Sequence, residues 1–292
     1  MKLWVCIPVF NRIDFTLKCL ESLSRQDYSD YKVIVCDDGS TDGTSQVLAK
    51  RYAWVTVLHG DGNLWWTAAT NRCIDYVLAN SNDPSDCIVT LNNDLEVPEN
   101  YLSSLASAVA KYPKSLITSV GYDIKTGNMV SPGYRQNWFT SKVKAINPTT
   151  DHLPNDRSVA AVTHAAGRGT LIPLEVFQKI GMFDERHLPH YGADYDFSFR
   201  AARAGYAILV NYPSQVFSHV AETGLTEMRK SFSLREFYGY LSSIKSPANL
   251  RARWWLAVKN CPKMLLPFNL ILDFIFVTGS YLKYHWRGYL GK

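Results

Sequence analysis

The sequence predicts an α/β fold: a Rossmann-like, mostly parallel central sheet flanked by helices, followed by a helical C-terminal appendage. Three observations carry this. Apolar, β-branched runs alternate with helical patterns over about the first hundred residues, which argues for βαβ units with right-handed crossovers. Three of those runs end in polar or glycine-rich turns, Asn11-Arg12, Asp37-Asp38-Gly39 and Asn92-Asn93-Asp94. Parallel strands bring such turns to one sheet edge, where ligands bind in open α/β sheets. From about Ser233 the composition becomes basic and aromatic.

Residues 2–8 read as the first buried strand. Asn11 or Asp14 is placed to cap a helix whose apolar face is Phe15, Leu17, Leu20 and Leu23. Residues 31–36 are a second strand, 46–51 a helix, 54–58 a third strand, and 67–79 a helix. The fourth strand starts at Cys87 and runs out into Asn92, Asn93 and Asp94. A helix is expected over 101–112 and a strand over 116–122. Residues 125–156, rich in Gly, Pro, Asn and Thr, read as hairpins and loops over the site. A strand at 159–163 leads to the close backbone turn Gly167-Arg168-Gly169-Thr170. The helix over 174–180 is stopped by Gly181, and the next, carrying Phe197, Arg200 and Ala201, by Gly205. Two strands are expected at 206–210 and 215–218, with His219 closing the second ahead of Ala221-Glu222-Thr223-Gly224.

With 47% hydrophobic and 20% charged residues, the composition excludes a disordered chain. The net charge of +5 suits anionic partners such as nucleotide phosphates, and no lysine-rich arm points to nucleic acid. The six cysteines form no CxxC pair, which implies a reducing compartment and no zinc site. The chain runs straight into a strand pattern without a signal peptide, so a cytoplasmic location is expected, extending to the inner face of the cell membrane. No GxGxxG follows the first strand and no GxxxxGK[ST] occurs, which excludes dinucleotide and P-loop sites.

From Lys245 onward, Lys245, Arg251, Arg253, Lys259, Lys263, Lys283, Arg287 and Lys292 stand against a lone acid, Asp273. The apolar run 264–282 is interrupted by Pro267, Asn269 and Asp273, a poor fit to the roughly 20 apolar residues of a spanning helix. Three readings stay open: a helix in the membrane interface, a helix on the body of the protein, and a homodimer seam. Amphipathic patterning alone does not separate them.

Four segments together resemble the family 2 glycosyltransferases, which have the GT-A fold. Ile7-Pro8-Val9-Phe10-Asn11-Arg12 is similar to the family's opening strand and loop, and Cys36-Asp37-Asp38-Gly39-Ser40-Thr41-Asp42-Gly43-Thr44 to its second motif. Leu91-Asn92-Asn93-Asp94 sits where the family has its Asp-x-Asp metal motif. Gly181-Met182-Phe183-Asp184-Glu185, followed by Asp194-Tyr195-Asp196-Phe197, looks like the acceptor-side segment. The resemblance covers residues 1 to about 225 and includes the rhamnosyltransferase-like enzymes of bacterial surface-polysaccharide assembly. It divides the chain into a GT-A unit over 1–228, with a nucleotide-binding half (1–100) and an acceptor-binding half (101–228), and an extension over 229–292. Two departures stand out: only the last acid of Asp-x-Asp remains, and the family's Glu-Asp pair is Ala193-Asp194.

The resemblance implies inverting transfer of a sugar from a nucleoside diphosphate (UDP or dTDP) to a hydroxyl of a glycan or lipid-linked glycan. A divalent cation, Mn²⁺ or Mg²⁺, would neutralise the leaving diphosphate, with Asp94 as ligand and His219 reaching the metal or diphosphate. Asp194 takes the family position of the base, with Asp196 as the alternative. The donor pocket would use Pro8, Phe10, Asn11, Arg12, Gly62, Asn63, Trp65, Trp66, Asn71, Asn92 and Asn93. Within it Phe10 stacks on the base, Asp38 accepts its imide N–H, and Asn92 touches the ribose. Core packing is an equal reading for Trp65 and Trp66. Two rival functions are a non-catalytic sugar-nucleotide or glycan-binding protein and a nucleotidyltransferase. The latter needs an Arg/Lys-bearing glycine loop after the first strand, which Pro8-Val9-Phe10-Asn11 is not.

Overall fold

The computed structural model describes residues 1–219 and 233–290. Its first part alternates as the periodicity requires: β1 (Leu3–Val9), α1 (Ile13–Ser24), β2 (Tyr31–Asp37), α2 (Thr44–Arg51), β3 (Val55–His59), α3 (Trp65–Asn80) and β4 (Cys87–Thr90). There follow β5 (Leu95–Glu96), α4 (Tyr101–Lys111), β6 (Ser115–Asp123), β7 (Met129–Ser131), β8 (Tyr134–Asn137), β9 (Lys142–Ala145), β10 (Val159–Ala161) and β11 (Thr170–Pro173). The chain continues through α5 (Leu174–Ile180), α6 (Ala193–Arg203), β12 (Ala207–Ser218), α7 (Leu234–Ser242), α8 (Leu250–Asn260) and α9 (Leu266–Leu290).

The central sheet has the order β10-β12-β6-β11-β4-β1-β2-β3. β1 pairs in parallel with β2 and β4, and β2 with β3. The carboxyl ends of these strands therefore share one edge. Strand β1 is buried on both faces: Trp4 and Cys6 meet α3 through Ala69, Cys73 and Ile74, while Leu3, Val5 and Ile7 meet α1 and α4 through Leu20, Leu23 and Leu105. Two-sided burial is why these strands read as continuous apolar runs.

Several boundaries differ from the sequence reading. The short β11, antiparallel to β4 and β6, starts at the last residue of the expected turn and fills the 171–173 gap before the helix. The fourth strand stops at Thr90, and Leu95–Glu96 leaves it to pair with β12 at Phe217 and Ser218. The two strands expected around Pro213 are one strand, β12, whose register against β6 shifts between Asn211 and Gln215. There Asn211 Nδ2 donates to Ser214 Oγ over 2.7 Å, absorbing the extra residues. Neither Asn11 nor Asp14 caps α1. Asp42, from the β2–α2 loop, accepts from the Ile13 amide at 2.9 Å, so the first turn of one helix is satisfied from the neighbouring loop.

In the tail, α8 packs on the body of the protein. Asp196, fully buried in α6, accepts from Lys259 Nζ at 3.1 Å and from Asn260 Nδ2 at 2.9 Å. Helix α9 is tied to α8 by the Arg253–Asp273 ion pair. Among the described residues, no helix is long and apolar enough to cross a membrane. The segment Ala221-Glu222-Thr223-Gly224 and the boundary expected at 228/229 lie outside the described residues.

Candidate active site

The site forms at the shared edge of β1, β2 and β4. Phe10, directly after β1, is 54% exposed, which leaves its ring face open to a ligand. Asn11 and Arg12 both take left-handed backbone conformations, φ 56° and 62°. The bend is held from the next loop: the Asn11 amide donates to Ser40 Oγ at 2.7 Å, and the Thr41 amide to Asn11 Oδ1 at 2.8 Å. Arg12 Nη1 stands 3.7 Å from Asp94 Oδ2, which joins the β1 edge to the β4 edge electrostatically.

Asp38 shapes the neighbouring loop. Its carboxylate is buried and accepts the amides of Gly62 (2.8 Å), Leu64 (2.9 Å) and Trp65 (3.1 Å). It thus folds the 60–65 loop around itself. Gly60 is required for this, because a Cβ there would fall 2.4 Å from Asp38 Oδ1. Asp37 supports the adjoining turn, accepting from the Ser40 amide at 3.0 Å.

Asn71 also bonds within the protein. It is buried and donates to the Phe183 carbonyl (2.9 Å) and Glu185 (2.8 Å) while accepting the Phe183 amide, so it clips the 183–185 loop to α3. Asn93 donates to Thr16 Oγ1 at 3.0 Å and braces α1. Trp65 keeps φ 57° and sets its ring edge-on to His190 at 5.7 Å. The Trp66 ring packs on Phe183, and its Nε1–H donates to Asn92 Oδ1 at 2.9 Å. Gly62 and Asn63 lie in the loop held by Asp38, and Pro8 lies in β1.

Asp194 begins α6 on the other side of the cleft. Its Oδ2 accepts the Gly167 amide at 2.8 Å and its Oδ1 its neighbour Tyr195's amide at 3.0 Å. Burial pushes this carboxyl up to about 6, against the lowering effect of those amides and of Arg168. Asp196, the alternative base, is fully buried and bound to Arg200, Lys259 and Asn260, whereas Asp194 is only partly buried. Tyr191 lies between the two halves: burial raises its hydroxyl, and the charges of Arg12 and Asp94 both reach it.

Asp94 and His219 are not brought together as a ready-made metal site. His219 Nε2 shares a hydrogen bond with Glu96 Oε1 at 3.0 Å, and its ring lies 4.8 Å from Phe15. Among the described residues, no group of three or more His, Cys, Asp or Glu side chains is gathered to hold a metal. Glu96, Arg168, Tyr191 and Asp42 are site or support residues that the sequence reading did not single out. Glu96 carried one available signal, its spacing two residues beyond Asp94.

The family profile described as "Glycosyl transferase family 2" matches residues 4–179. The chain belongs to glycosyl transferase family 2. Over 222 residues this glycosyltransferase is 27% identical to the N-acetylglucosaminyl-diphospho-decaprenol L-rhamnosyltransferase of Mycobacterium tuberculosis, covering 70% of this chain and 71% of that one. It is 25% identical over 252 residues to an uncharacterised glycosyltransferase of Rickettsia prowazekii, covering 82% of this chain and 71% of the relative. Among solved structures, GalNAc-T7 with UDP, GalNAc and Mn²⁺ superposes with a TM-score of 0.60 at 16% identity, covering 74% of this chain and 43% of that one. Staphylococcus aureus TarS 1-349 superposes with a TM-score of 0.58 at 14% identity, covering all of this chain and 92% of that one. The fold of this family 2 glycosyltransferase is thus that of the GT-A enzymes.

Proposed function

We propose that the enzyme transfers a hexose or deoxyhexose, with inversion, from UDP or dTDP to a hydroxyl of a glycan or lipid-linked glycan. The observation that supports this is Asp194: a carboxylate fixed by two amides, raised by burial to about 6 and linked through Gly167 and Trp66 to Asn92. A general base works best with its pKa near the working pH, and this one is tuned in that direction.

The roles divide along the cleft. Residues 1–100 hold the donor, with Phe10 against the base and Asn92, steadied by Trp66, at the ribose. Residues 101–228 face the acceptor. Asp194 takes the proton from the acceptor hydroxyl as its oxygen bonds to the anomeric carbon. The bond from that carbon to the diphosphate breaks, and the nucleoside diphosphate leaves.

At Asp94 the donor set is one carboxylate beside Arg12, with Glu96 and His219 bonded to each other nearby. That set fits an oxygen-seeking divalent cation only with the diphosphate oxygens completing the shell. When bound there, Mn²⁺ or Mg²⁺ supplies neutralisation of the leaving diphosphate. The UDP and Mn²⁺ held by GalNAc-T7 support this choice of donor and cation. The mycobacterial relative's name, an L-rhamnosyltransferase of a decaprenol-linked diphospho-sugar, supports a deoxyhexose and a lipid-linked acceptor.

The test is a thermal-shift screen of UDP, dTDP and GDP with and without Mn²⁺, followed by assay of nucleoside diphosphate release from a nucleotide sugar. A ligand at a hundredfold its dissociation constant adds about 2.7 kcal/mol. UDP or dTDP should stabilise the protein more in the presence of Mn²⁺. Absence of any nucleotide shift together with absence of release would overturn the proposal.

A further inference from the structure

Among the described residues, the outer face of α9 is apolar and uncovered. Met264, just before the helix, and then Phe268, Ile271, Ile275 and Leu282 recur at alternating three- and four-residue or seven-residue steps, so they line one stripe. Their exposures are 95%, 47%, 60%, 52% and 53%. The opposite face is the one that packs: Val277 and Tyr281 are buried against α7 through Tyr240 and Phe237.

A second element extends the stripe. The β8–β9 hairpin lies against α9, where Asn269 Nδ2 donates to the Trp138 carbonyl at 2.8 Å. Phe139, 63% exposed at the hairpin tip, meets Phe268 with ring centroids 5.9 Å apart. Lys142 Nζ stands 5.8 Å from the ring centroid of Phe276. Every residue of β9, Lys142-Val143-Lys144-Ala145, is exposed. The apolar surface therefore runs from hairpin to helix and is flanked by cations. The one acid of α9, Asp273, faces α8 and is neutralised by Arg253.

We propose that this face docks on an anionic lipid bilayer, with the Phe139–Phe268–Ile275 surface in the acyl boundary and Lys142, Lys144 and Lys283 at the headgroups. The charge pattern decides between occupants. A second copy of the chain would bring this basic flank against itself, whereas an anionic surface neutralises it. Basic residues beside Phe, Ile and Leu on an interfacial helix suit the headgroup–acyl boundary, which a short, interrupted stripe occupies without spanning. The inference does not depend on the proposed transfer reaction, since it concerns where the protein sits.

The experiment is co-sedimentation of the full chain with vesicles of phosphatidylcholine alone or mixed with phosphatidylglycerol, alongside light scattering for mass in solution. The protein should sediment with the mixed vesicles and stay in solution with the neutral ones. Phe268→Ser combined with Ile275→Ser should abolish sedimentation while leaving nucleotide-induced thermal shifts unchanged. Lys142→Ala with Lys144→Ala, on an exposed hairpin where folding is not at stake, should weaken it roughly thirtyfold, at about 1 kcal/mol per lysine near an anionic surface. Sedimentation with neither vesicle, or equally with both, overturns the proposal. So does a two-chain mass that reverts to one chain in the Phe268→Ser, Ile275→Ser variant, which would assign the face to a second copy.

Discussion

Gly167 lies flat against the indole of Trp66: a Cβ at this position would fall 2.2 Å from Trp66 Cζ2. The same glycine's amide holds Asp194 at 2.8 Å, and the same indole's N–H holds Asn92 at 2.9 Å. One glycine–tryptophan contact therefore sets the spacing between the donor-side carboxamide and the acceptor-side carboxylate.

Gly167→Ala is expected to push the ring away and disturb both ends of this chain of contacts. Overpacking of a closed site costs about 1–3 kcal/mol. Turnover should fall by roughly a hundredfold or more, because small misplacements of reacting groups are that costly. Trp66→Phe separates the terms: it keeps a ring and removes the N–H, so stability should fall by only about 1 kcal/mol while the KM for the donor rises. Thermal denaturation and steady-state kinetics read the two effects.

The pH dependence of turnover should follow Asp194. The base works ionised, so the rate should fall as pH drops through about 6, approaching tenfold per pH unit below it. Asp194→Asn should remove that acid limb and lower kcat by about a hundredfold or more. The same carboxyl acts on stability in the opposite sense. Its folded pKa lies above the ordinary 3.8, so its contribution is complete below that value and is lost as pH rises through about 6.

Asp38→Asn distinguishes a scaffold from a base-reading group. Asp38 accepts three amides of the 60–65 loop, so the variant should lose about 3 kcal/mol of stability. Its binding of UDP, dTDP and GDP should weaken to a similar extent. A change of base preference at unchanged stability would instead restore the reading in which Asp38 accepts an imide N–H. Calorimetric titration of the three nucleotides decides.

Lys259→Met tests how far the tail supports the catalytic helix. Lys259 bridges Asp184 and the fully buried Asp196, on the helix that begins beside Asp194. Removing one member of a buried charge cluster costs about 3 kcal/mol, and kcat should fall although no substrate is touched. Burial alone would raise the Asp184 carboxyl, but bonds from Lys259 and His187 outweigh it and hold it at about 2. This contribution is present above pH 3.8 and is lost as pH falls through about 2. The variant should therefore unfold at a higher pH than the wild type in an acid titration followed by circular dichroism.

The alternation of apolar runs determined the parallel sheet and its ligand edge, because strands buried on both faces must be apolar along their whole length. The residue types at the strand ends determined that chemistry belongs there. The resemblance built on them reached Asp194 as a position, without its environment. Only the tertiary structure decided which polar groups stay available. Asp38, Asn71, Asn93 and Asp196 have side chains suitable for ligand contact, yet amides, a carbonyl, a hydroxyl and cations from distant segments bond to them. Those partners are separated along the chain by 26 residues for Asp38 and Leu64 and by 112 for Asn71 and Phe183, so no local pattern encodes them. The same holds for α9: its periodicity announced two faces, and packing against α7 and the β8–β9 hairpin determined which one stays exposed. A polar group's function depends on which partners the fold brings within about 3 Å, and that is a property of the folded chain.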